Sequence, residues 1–63
     1  MTATERKVLQ QMNTRINKIE ELALELKQLG HGVPVIKKNA EVILSTVYVL
    51  KFGISDIVEI DTA

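Results

Sequence analysis

Cysteine is absent from the 63 residues, which excludes a disulfide framework and a thiolate-held metal cluster. A single histidine leaves too few imidazoles for most histidine-based metal sites. There is no tryptophan, with one tyrosine and one phenylalanine. Proline occurs once and glycine three times, so the chain has few natural breaks. Charge of either sign is not in excess: eight Lys and Arg balance eight Asp and Glu. A net charge of zero is a poor electrostatic footprint for nucleic acid or an anionic membrane. Long apolar runs are also missing. The run from Val42 to Ile54 is about 13 residues and contains Lys51, whereas a membrane-spanning helix needs roughly 18 or more. Residues Met1 to Lys7 lack the apolar centre of a signal peptide. A soluble, cytoplasmic protein without a membrane partner is the expectation.

What is present is apolar: 46% of the residues are hydrophobic, which argues for folding and against disorder. The length suits one small domain, near the size where a monomeric core is marginal. The segment Val42 to Phe52 is apolar on nearly every side. A lone hairpin hides one face of such a segment. The sequence therefore asks for a partner, most simply a copy of itself.

Helix 1 is expected over about residues 3–29. Thr2 and Glu5 fit a capping box. Leu9, Met12, Ile16, Ile19, Ala23 and Leu26 alternate spacings of three and four, an a/d seam held for almost three heptads. Val8, Leu22 and Leu29 widen the seam on one flank, which suits a bundle. Gly30 offers a left-handed C-terminal cap, and residues 30–33 form the turn. Pro34 sits where proline starts a helix. A link this short makes the two helices antiparallel neighbours.

Helix 2 is expected over about 34–52, with Ile36, Ala40, Ile43, Val47, Leu50 and Ile54 as its seam and Leu44 broadening it. Val42 to Phe52 is also rich in β-branched and aromatic residues, so a β-hairpin with Ile57–Ile60 competes. The period-3.5 seam, which begins before this segment and runs through it in register, favours helix. Gly53 reads as a second stop. The tail, 53–63, is open between a short helix capped by Ser55, a strand and a frayed end. Helix 1 exceeds helix 2 by a length of roughly 12 Å. The tail lies opposite that excess, so Ile57 or Ile60 is expected near Val8 and Leu9, with Asp56, Glu59 and Asp61 facing Arg6 and Lys7.

Residues 1–18 carry four bases and one acid; residues 19–29 carry three acids and one base. Two copies of helix 1 placed antiparallel match opposite halves, a modest and salt-screened preference. The fold expected is all-α: an antiparallel helical hairpin, 1–63, assembling into a homo-oligomeric four-helix bundle. A homodimer is expected first, with a tetramer as the larger form. The oligomer interface is assigned to Val42, Leu44, Tyr48, Val49 and Phe52, with Tyr48 and Phe52 filling the oligomer core rather than a groove for another protein.

Chemistry is sparse. His31 stands among glycines and valine and reads as a solvated turn residue. Glu20, Glu21, Glu25 and Glu41 lack the inward Glu-x-x-His pattern of di-metal bundles and read as a solvated face. Lys37–Lys38 is too small a cluster for phosphate-driven binding. Residues 57–60 could add as a strand to another protein's sheet edge. No phosphate loop, nucleophile elbow or zinc motif occurs. No cofactor, metal or catalytic residue is assigned, and no enzyme is expected. The reading is a small interaction protein of bacterial type: a regulator, adaptor or assembly subunit working through helix faces. The alternative is a nucleic-acid-associated regulator using Arg6, Lys7, Arg15 and Lys18. From Ile16 to Phe52, a helix–Gly–helix opening with Ile-x-Lys-Ile-Glu-Glu, the chain resembles small bacterial hairpin regulators such as the sporulation aspartyl phosphatases. Asn39-Ala40-Glu41-Val42-Ile43 stands where that family has Ser-Gln-Glu-Leu-Asp, so no activity or functional residue is carried over.

Overall fold

The computed structural model describes residues 2–62, and side chains for 2–54. Helix α1 spans Ala3–Leu29 and helix α2 spans Pro34–Thr62. They lie side by side in a rod of 46 × 15 × 15 Å. Helices of 27 and 29 residues rise about 40 Å each, so a rod of that length requires them to be antiparallel and nearly flush. No strand occurs among the described residues, which removes the β-hairpin alternative. Ser45 and Thr46 instead turn their hydroxyls back to the Glu41 and Val42 carbonyls, both at 3.1 Å.

Thr2 caps α1, its Oγ1 accepting from the Glu5 amide at 3.1 Å and donating to Glu5 Oε1 at 3.0 Å. The glutamate is thus held by the threonine hydroxyl. At the turn, Val33 is the residue whose carbonyl receives the first amides of α2, from Ile36 at 3.0 Å and Lys37 at 3.1 Å. Pro34 opens α2, as its fixed φ favours.

Two glycine expectations need correction. Gly30 is not left-handed: its φ is −92° and ψ 12°. Space rather than handedness requires glycine there. A Cβ would stand 2.5 Å from Ile36 Cγ2, 3.0 Å from Ile36 Cβ and 3.0 Å from the Leu26 carbonyl oxygen. A β-branched neighbour has little rotamer freedom to yield. Gly30→Ala is therefore expected to cost about 1–3 kcal/mol, read as a lowered thermal midpoint.

Gly53 does not end α2, which continues through it to Thr62 without a positive φ. Glycine inside a helix costs only about 1 kcal/mol, and Ile54, half-buried beyond it, extends the packed line of Ala40 and Val47. The expected stop at residue 52 and the 12 Å mismatch accordingly disappear. Nothing stands within 4 Å of a Cβ at Gly53, so Gly53→Ala is expected to stabilise by about 0.5–1 kcal/mol, raising the midpoint in a thermal melt. The expected contacts of the Ile57 and Ile60 side chains lie outside the described residues, as do the charges of 56, 59 and 61.

The core is narrow. Ile16 and Ala23 of α1 are buried against Ala40, Leu44 and Val47 of α2. The alanines, each 2% exposed, let the backbones approach. Half of the expected seam is therefore displaced. The 9/16/23 and 40/47/54 lines turn inward. Their intended companions, Met12, Ile19 and Leu26 on α1 and Ile36, Ile43 and Leu50 on α2, remain 40–46% exposed. The neighbouring line takes their place, with Glu20, Lys27 and Lys51 half-buried and Leu44 buried.

Candidate functional site: an apolar side of the hairpin

That rotation divides the rod into two unlike sides. In an antiparallel hairpin, equivalent heptad lines of the two helices fall on the same side of the plane through both axes. One side carries the charges that close across the helices. Lys51 Nζ meets Glu20 Oε1 at 2.8 Å, and Lys27 Nζ meets Glu41 Oε1 at 3.8 Å. Glu20 is thus not part of a solvated face: its side chain is 22% exposed and anchored. Each of these bridging residues on α1, Glu20 and Lys27, follows a seam residue by one position, as Lys51 does on α2. About 100° of rotation per residue puts the seam residues on the other side.

This other side is apolar across both helices. On α1 it holds Met12, Ile19 and Leu26, flanked by Val8, Leu22 and Leu29. On α2 it holds Ile36, Ile43 and Leu50. All are exposed, and all are positioned by the same 3.6-residue period that was read as an inner seam. The sequence signal was visible; what it could not show is that one neighbour covers only half of so wide a stripe.

The five assigned interface residues divide. Val42, Tyr48, Val49 and Phe52 are exposed, at 53–75%, along an arc of α2 facing away from α1. Leu44 is 7% exposed and belongs to the hairpin's own core. Its position, three residues before Val47, points it at α1, so it is withdrawn from the outer surface.

The polar candidates assemble no chemistry. An open depression of about 610 Å³ lies by the turn, lined by Leu24, Glu25, Lys27, His31 and Lys37 among others. His31 Nδ1 donates to the Gln28 carbonyl at 3.0 Å, capping the end of α1. No group of three His, Asp or Glu that could hold a metal occurs among the described residues. Arg6 and Arg15, nine residues apart, stand on opposite sides of α1, and Lys18 lies 3.6 Å from Glu21. The four bases of α1 do not form one patch. No helix among the described residues is long and apolar enough to cross a membrane. No family model, curated protein or solved structure matches the chain.

Proposed function

We propose that this chain is a small, non-enzymatic, cytoplasmic interaction protein, a regulator or assembly subunit, that works through its helix faces and associates first with itself. The observation that carries this reading is the continuous apolar side spanning both helices, opposite a side closed by ion pairs. Exposed apolar surface on this scale marks an interaction site. A thin two-helix core in a chain without cysteine calls for association as a source of stability. Among the described residues, Ile16, Leu44 and Val47 are the large aliphatic side chains that are buried, each contributing roughly 1.5–3 kcal/mol. A homodimer satisfies the apolar side; the outer arc of Val42, Tyr48, Val49 and Phe52 is then available for a larger homo-oligomer or a further protein.

Thermal melting at several protein concentrations tests the reading. Association-coupled folding makes the midpoint rise with concentration. A midpoint independent of concentration over a hundredfold range would argue for a self-sufficient monomer.

A further inference from the structure

We propose that the second copy covers the apolar side with α1 lying antiparallel on α1, the two hairpins being related by a two-fold axis that passes beside Ile19. This arrangement rests on the self-association proposed above and adds its geometry.

Three observations carry it. The first is extent. The apolar line of α1 runs from Val8 to Leu29, about 32 Å, along a rod 46 Å long, so a second copy lying lengthwise covers it in one contact. The second is the pattern of the flanks. Beside the central line, α1 offers Val8, Arg15, Leu22 and Leu29, whereas the equivalent line on α2 is Asn39, Thr46 and Gly53. Stacking α1 antiparallel on α1 sets Val8 against Leu29 and Leu22 beside the aliphatic stem of Arg15, and leaves the small polar flank of α2 facing its own copy. Stacking α1 on α2 would set the leucines against asparagine and threonine.

The third is symmetry within α1. Met12 and Leu26 lie seven residues to either side of Ile19, while Val8 and Leu29 lie eleven and ten away. The central apolar line is therefore unchanged when α1 is reversed about Ile19, and Val8 and Leu29 nearly exchange places. The charges bordering this side change sign under the same reversal: Arg15 and Lys18 precede Ile19, and Glu25 follows it. Glu20, paired with Lys51, and Arg6 lie on the other side of α1. A two-fold, self-complementary contact asks for this combination: apolar groups that repeat and charges that invert.

The absence of cysteine makes single-cysteine mapping clean. Three variants, Ile19→Cys, Met12→Cys and Leu26→Cys, are oxidised mildly as full-length chains, after circular dichroism and light scattering on each. Ile19→Cys is expected to give a disulfide-linked dimer, because residue 19 meets its own copy. Met12→Cys alone stays unlinked, since 14 residues separate the two sites, about 21 Å, well beyond disulfide reach. Met12→Cys mixed with Leu26→Cys links. A double-mass species in which Ile19→Cys stays unlinked, or Met12→Cys links to itself, would overturn the antiparallel α1 contact and leave self-association standing. A single-copy mass for the wild-type protein would overturn both.

Discussion

Ile19→Asp is expected to convert the proposed dimer into single hairpins, with the dissociation constant raised at least about 100-fold, the effect of losing roughly 2–3 kcal/mol at an interface centre. Within one hairpin the substitution is accommodated, because Ile19 is 44% exposed and an aspartate there reaches water. Across the proposed two-fold it is not, because each carboxylate would face its own copy at the most dehydrated point of the contact. Sedimentation velocity at micromolar protein reads the loss directly. The same geometry predicts a rescue: mixing Ile19→Asp with Ile19→Lys restores the heavier species, while each variant alone remains light. A wild-type mass for Ile19→Asp would place the contact elsewhere.

Val47→Asp is expected to abolish the fold itself. Val47 is 1% exposed and is the largest fully buried side chain among the described residues. An aspartate at that place loses the aliphatic burial and carries a carboxyl group into the seam between the helices. The combined cost is about 4–5 kcal/mol or more, a large part of the total stability of a small domain. Helical circular dichroism at 25 °C is expected to collapse, and assembly with it. Val47→Ala, which creates a cavity without burying charge, should leave a helical protein with a lowered midpoint. The contrast between the two positions is the useful result. Aspartate at 19 is expected to separate copies, and aspartate at 47 to unfold them. Equal outcomes at both positions would erase the distinction between inner and outer stripes.

Much of this architecture was legible in the residues. Thr2 and Glu5 marked the start of α1, and the unbroken period of three and four carried both helices. Gly30 and Pro34 fixed the turn between them. Each of these signals acts over one or two turns of chain, where local stereochemistry decides. The length of α2 was harder, because Gly53 is a weak helix breaker whose effect packing at Ile54 overrides. The facing of the helices was harder still. Ile16, Ala23, Ala40 and Val47 were read correctly as inward, yet Met12, Ile19, Ile43 and Leu50 were grouped with them. A stripe wider than one neighbour can cover has two ways to turn, and the choice depends on tertiary contacts. Here Glu20 and Lys51, 31 positions apart, close at 2.8 Å on one side and leave the isoleucines on the other. The same reason withdraws Leu44 from the outer surface.

The mass of the wild-type chain in solution tests the central claim most directly. Light scattering on the peak from size exclusion, with far-UV circular dichroism of that peak, is expected to give a helical species of about 14 kDa, two copies of 7.1 kDa, or a small multiple of it. A helical species of 7.1 kDa at tens of micromolar would contradict self-association and assign the apolar side to a different protein.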